Sequence, residues 1–188
     1  AEMQHRIGNN LAVIKSLLGL YRHDSNIKKE AILGRLSNLI DAISLLNNKF
    51  FDSFETQTVQ IKDLFQQLGR DFASEHGYNQ NLLETRVEDI EIHIDTALPL
   101  GMIYTILITN IMEQSRKQSS PLTLTIEEGK EGLVMTLTGS LKQCIAKDRL
   151  KSKSESENEI LNSLIKQIRG TLVFSSGEPD RQVLTFTR

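Results

Sequence analysis

The sequence predicts an α+β protein in two parts, a helical hairpin over residues 1–53 followed by an α/β sandwich over residues 54–188. Apolar residues recur at alternating steps of three and four up to about residue 50, and short β-type runs then alternate with amphipathic stretches. A hydrophobic content of 39% beside 24% charged residues is enough apolar material for a packed core.

In the first part, Met3, Ile7, Leu11, Ile14, Leu18 and Tyr21 form the buried seam of one helix. The polar break His23-Asp24-Ser25-Asn26 supplies turn and capping residues, after which Ile32, Leu36, Leu39, Ile43, Leu46 and Phe50 mark a second helix running back along the first. Val13, Leu17, Leu20, Leu33 and Ile40 lie beside these seams and widen the apolar stripe beyond what one hairpin buries. Pairing of two copies into a four-helix bundle buries the excess, so a homodimer is expected. Met3 already holds a heptad position, and we expect further sequence upstream.

The second part opens with a strand near 58–60, a helix from 61 to about 76, a Gly77-Tyr78-Asn79 turn and a loose segment to Thr85. Glu91-Ile92-His93-Ile94-Asp95 alternates with period two as a strand, and Pro99 is placed to open a helix reaching about residue 117. Residues 122–127 and 133–138 read as a hairpin joined by Glu128-Gly129-Lys130-Glu131. Residues 141–157, rich in Lys, Ser and Glu, read as a loop, and 160–168 as a helix that Gly170 stops. Residues 171–174 and 183–186 complete the sheet across a Gly177-Glu178-Pro179-Asp180 turn.

A formal charge of -2 gives no positive field for nucleic acid or an anionic membrane surface, and no apolar run approaches the roughly 18 residues of a bilayer span. Cys144 is the single cysteine, which excludes an internal disulfide framework and fits a cytoplasmic setting. His23, His76 and His93 lack metal-ligand spacing, so no metal site is expected.

The first helix carries the chemistry. Advancing about 100° per residue from Ile7 places His5 roughly 160° away, on the solvent side. Gly8, Asn9, Ala12, Ser16 and Gly19 share that side, all small or short and polar where a solvated face normally carries Glu, Lys and Gln. Two helix-interior glycines cost on the order of 1 kcal/mol each relative to alanine. Close docking of another protein surface around His5 offsets that cost. An exposed imidazole titrates near neutrality, so a ring nitrogen is free to act as nucleophile or phosphate acceptor. Asn9, one turn on, is positioned to hydrogen-bond a phosphoryl oxygen or orient a water.

His5-Arg6-Ile7-Gly8-Asn9-Asn10-Leu11, preceded by Glu2, resembles the H-R-x-x-N-N-L phosphoacceptor box of the HWE-type histidine kinases, which often have a basic residue where Gly8 stands. The element order after the hairpin resembles the Bergerat-like ATP-binding domain of the same family. There, an N-box resembling N-E-L-x-x-N-A-x-K supplies a general base and a magnesium ligand. Thr105-Ile106-Leu107-Ile108-Thr109-Asn110-Ile111-Met112-Glu113 keeps only Asn110 and the apolar frame, with Ile106 at the acidic position and Glu113 at the basic one. The adenine-binding D-x-G-x-G is replaced by Thr138-Gly139-Ser140-Leu141-Lys142, and the second glycine motif by Ser154-Glu155-Ser156-Glu157-Asn158-Glu159, whose carboxylates repel a triphosphate.

The resemblance therefore implies a degenerate ATP-binding domain and no nucleotide cofactor, closest in character to the ChpT-type histidine phosphotransferases of two-component phosphorelays. His5 is then the phosphoacceptor and Asn9 positions the phosphoryl group or water. Arg6, Gly8, Ala12, Ser16 and Gly19 meet response-regulator receiver domains, which supply magnesium. A sensor-kinase core phosphorylating His5 from ATP, a pseudokinase interaction module and an Asn9-dependent phosphatase are the alternatives. Cys144, without an evident activator, is not expected to be a catalytic thiol.

Overall fold

The structure, a computed structural model, describes residues 58–75, 77–115, 121–130, 132–139, 155–175 and 180–186, with the separate helical positions 15, 33, 37, 40, 41 and 44. The elements are β1 (Thr58–Gln60), α1 (Ile61–Glu75), a 3-10 turn (Gln80–Leu82), β2 (Leu83–Val87), β3 (Glu91–His93) and α2 (Ile94–Ser115). They continue as β4 (Leu122–Gly129), β5 (Gly132–Gly139), α3 (Glu155–Gln167), β6 (Thr171–Ser175) and β7 (Asp180–Phe186). This is the α+β arrangement expected.

Five strands form one sheet in the order β2-β4-β5-β7-β6, with β2 parallel to β4 and the remaining pairs antiparallel. β1 and β3 form a separate antiparallel pair. Alternation along the strands divides the large sheet into two faces. Leu122, Leu124, Ile126, Leu133, Met135, Leu137, Leu184 and Phe186 are buried, while Thr123, Thr125, Val134, Thr136, Thr138, Val183 and Thr185 stand half-exposed opposite them.

The helices cover the apolar face. α1 presents Ile61, Leu64, Phe65, Leu68 and Phe72, and α3 presents Ile160, Leu161, Leu164, Ile165 and Ile168, each at the spacing of one buried stripe. α2 differs. Ala97, Leu100, Met102, Ile103, Tyr104, Leu107 and Ile108 are buried around most of its circumference, and it packs against both α1 and α3. Phe65 and Tyr104 lock α1 to α2 edge to face, with ring centroids 5.0 Å apart and planes at 77°, a contact worth about 0.5–1.5 kcal/mol beyond its buried area.

The structure departs from the sequence expectations at element starts. Leu83-Glu84-Thr85, the end of the segment expected to be loose, belongs to β2 (Leu83–Val87), because each residue of the strand has a partner on β4. α2 begins at Ile94, five residues before Pro99, which lies inside the helix and leaves the Asp95 carbonyl without its i+4 donor. α3 begins at Glu155 rather than 160, since its first turn is polar and carries no apolar signal. Asp180, read as part of a turn, starts β7 opposite Gly139.

Two helices end in six-to-one caps. At α1, Gly77 takes φ 62 and the Tyr78 N–H donates to the Ala73 carbonyl at 2.8 Å. At α3 the left-handed position falls on Arg169, φ 49, while the Gly170 N–H donates to the Ile165 carbonyl at 2.9 Å. Gly170 therefore stops the helix from the next position along. Its lack of a side chain serves the sheet, because a Cβ there would stand 3.0 Å from the Thr185 carbonyl oxygen.

The hairpin assigned to residues 1–53 lies outside the described residues except at six positions. Lys15, Leu33, Ser37, Ile40, Asp41 and Ser44 are helical and exposed, with the Ser37 Oγ donating to the Asp41 carboxylate at 3.4 Å. Leu33 and Ile40, seven residues apart in the sequence, are 66% and 45% exposed.

The α3 cap gives opposed expectations at adjacent residues. Arg169→Gly relieves the left-handed strain and raises stability by about 1 kcal/mol. Gly170→Ala forces a Cβ against the Thr185 carbonyl and lowers stability by about 1–3 kcal/mol. Urea midpoints at constant slope measure both.

Candidate functional site

The site positions divide between the first helix and α2 with its surroundings. His5, Arg6, Gly8, Asn9, Ala12, Ser16 and Gly19 lie outside the described residues, as do Cys144 and the Ser140-Leu141-Lys142 stretch. The described part holds α2 with Ile106 and Asn110, the end of β5 with Thr138 and Gly139, and the start of α3 at Glu155.

α2 is set by its N-terminus and by α1. His93, exposed at the end of β3, accepts the Asp95 N–H through Nδ1 at 3.2 Å, which satisfies one free donor of the first turn. The same nitrogen lies 3.3 Å from the Asp95 carboxylate. Along α1, Gly69 makes room for α2: a Cβ at this position would meet Leu83 Cδ2 at 2.9 Å and the Tyr104 hydroxyl at 3.3 Å.

The middle of α2 is polar where burial is deepest. Tyr104, Thr105 and Thr109 are 0%, 1% and 4% exposed, and none of their hydroxyl oxygens has a hydrogen-bond partner. Gln182 on β7 is 4% exposed with its Oε1 likewise unpartnered. Sequence reading passed over these residues; the pattern available to it was Thr105 and Thr109 at i and i+4 in an otherwise apolar helix, and Gln182 at an inward position of an alternating strand.

Ile106 stands between the two threonines and is half-buried against the hydrophobic core. A hydrocarbon at this position neither accepts a proton nor orients a nucleophile. Asn110 lies one turn further along the same helix. The unpartnered groups are three neutral hydroxyls and one amide oxygen. Among the described residues no three His, Cys, Asp or Glu side chains converge as metal ligands, and no helix is long and apolar enough to cross a membrane.

Residues 2–76 match the family model described as histidine kinase, HisKA_2, a span that includes His5 and reaches past the end of α1. The fold is similar to the histidine kinase domain of the Erythrobacter litoralis EL346 blue-light activated histidine kinase, with a TM-score of 0.68 at 13% identity over 95% of this chain and 94% of that one. Against the longer EL346 chain the TM-score is 0.73 at 17% identity, covering 99% of this chain and 57% of that one. A bacterial phosphotransferase shares the fold at a TM-score of 0.50 and 9% identity over 96% of this chain and 90% of that one. No curated protein matches the chain. A histidine-kinase family model thus matches the N-terminal part of the chain, and the fold is similar to that of a histidine kinase domain.

Burial holds the Tyr104 hydroxyl well above its ordinary value near 10. The folded state retains this proton where the unfolded chain releases it, so the contribution is complete below about pH 10 and is lost as pH rises above that. Wild-type stability is expected to fall steeply in this alkaline range. Tyr104→Phe flattens the fall and costs little at pH 7, because it removes a buried hydroxyl that has no partner. Denaturation midpoints at pH 7, 9, 10 and 11 check both expectations.

Proposed function

From an HWE-type histidine-kinase core, we propose that this chain is a dimeric histidine phosphotransferase of a two-component phosphorelay, relaying phosphate between receiver-domain aspartates through His5 without using ATP. The observation that carries the reading is Ile106, a half-buried aliphatic side chain packed against the core at the position where the resemblance places a catalytic acid. A helix altered in this way retains a fold without retaining the base that activates a histidine for attack on ATP. The degenerate glycine motifs around Gly139 and Glu155 support the same conclusion from sequence.

A neutral His5 ring nitrogen attacks the phosphorus of an aspartyl phosphate on the first receiver. The N–P bond forms as the acyl phosphate P–O bond breaks, and the aspartate carboxylate leaves with the electron pair. Attack by the carboxylate of a second receiver reverses these events and regenerates the imidazole. The receivers supply magnesium and the acidic pocket, so the contribution of this chain is positioning. Arg6 pairs with an acidic edge of the receiver, Asn9 hydrogen-bonds a phosphoryl oxygen, and Gly8, Ala12, Ser16 and Gly19 permit close approach. Leu33 and Ile40, exposed one heptad apart, support pairing of two hairpins into a four-helix bundle in the cytoplasm.

The second reading is an ATP-dependent sensor-kinase core, favoured by the kinase domains that share the fold. Two labelling reactions separate them. Incubation with a radiolabelled phospho-receiver is expected to label the wild-type chain and leave His5→Ala unlabelled, whereas labelled ATP with magnesium labels neither. Stable labelling of His5 from ATP at a rate matching receiver transfer sinks the phosphotransferase reading. Asn9→Ala is expected to slow transfer by about 10-fold, the loss of one phosphoryl hydrogen bond of roughly 1.4 kcal/mol. Stopped transfer in Asn9→Ala with rapid receiver dephosphorylation lost in parallel points instead to phosphatase action.

A further inference from the structure

The five-stranded sheet ends in two edges of opposite character. β2 carries Glu84 and Arg86, joined at 2.7 Å, and so presents the charged edge by which sheets resist adding strands. β6 reads Thr171-Leu172-Val173-Phe174-Ser175, with no charge, proline or glycine. It pairs with β7, Leu172 opposite Leu184 and Val173 opposite Val183, and among the described residues no strand pairs with its outer edge. Val173, β-branched and 54% exposed, stands at its centre. A short edge of high β propensity without a charged residue to protect it is the form of strand that recruits another.

We infer that β6 is an interface for a second copy of this chain, paired antiparallel about a twofold axis through Val173, so that two five-stranded sheets become one continuous sheet. The sequence of the strand selects this occupant. In antiparallel register about residue 173, position 171 faces 175 and position 172 faces 174. Threonine then meets serine, leucine meets phenylalanine and valine meets its own copy. Polar ends match polar ends and the apolar centre matches itself, which is what an isologous contact requires. No charge on β6 has to find an opposite charge on a different partner. The contact also uses none of the hairpin, so it stands independently of the bundle proposed above.

Both tests use the full chain. In a Cys144→Ser background, Val173→Cys brings two thiols across the axis, where opposed residues of an antiparallel pair have Cα atoms about 4.5–5.5 Å apart, within disulfide range. Mild oxidation is expected to give a covalent dimer on a denaturing gel, while Val183→Cys on the neighbouring strand stays monomeric. In the second test, Val173→Lys and Val173→Glu each set like charges against each other across the axis. Each is expected to lower the mass measured by sedimentation by at least twofold, and equimolar mixing of the two restores it. Circular dichroism establishes that each variant is folded, as expected for changes at an exposed side chain. A folded Val173→Cys chain that does not cross-link overturns the inference, as do charge variants with wild-type mass or a mixture that fails to recover it.

Discussion

Burial of α2 around most of its circumference is the constraint on which the rest of the domain depends. An amphipathic helix needs one partner, but a helix apolar on nearly all sides must be surrounded. The buried face of the large sheet, α1 with its Phe65–Tyr104 contact and α3 with its Leu164 stripe provide that surround. Gly69 allows α1 to come close enough, and the His93 side chain satisfies the first turn where the chain leaves the small β1–β3 pair. The cost of this arrangement is visible in the unpartnered Tyr104, Thr105 and Thr109 hydroxyls. A helix serving only as core filler has no need of them.

Position 106 is a place where a carboxylate suits a nucleotide site and an aliphatic suits packing, and the chain has isoleucine there, set against the core. Under the proposed function, the chain thereby lacks a carboxylate where the resemblance places a catalytic acid. If phosphate reaches His5 from another protein, this loss has no catalytic penalty, because the chemistry that activates the phosphoryl group resides in the donor. What the domain then contributes is surface and rigidity.

Periodic apolar patterns made most of the architecture legible from sequence. The stripe of α1, the alternating β4–β5 hairpin and the closing strands all combine a clear period with turn residues. The misread positions share a physical origin. β2 alternates Leu83-Glu84-Thr85-Arg86-Val87 too briefly to stand out, and its strand character comes from pairing with the distant β4. α2 and α3 start ahead of Pro99 and of the first apolar stripe, where the His93 contact at α2 and a polar first turn at α3 leave no apolar period. Arg169 in the left-handed region had no sequence signal, since Gly170 beside it fits the expected role. The His5 box was legible as a motif, and the family match over residues 2–76 includes it. The buried polar atoms of α2 were not, because a threonine in an apolar helix ordinarily returns its hydroxyl to its own backbone.

The parallel pairing of β2 with β4 has a consequence for how this domain reaches its native state. β4 and β5 are joined by a tight hairpin and assemble locally, but β2 reaches β4 only by a crossover containing β3 and the whole of α2. Closing that crossover demands chain entropy before it returns contacts, so the last-formed edge of the sheet waits on the docking of the central helix. Contact separation therefore favours early pairing of the β4–β5 hairpin and late pairing of β2 with β4. During that interval β4 is itself an edge strand, and the charges on β2 arrive only with the strand that pairs with it.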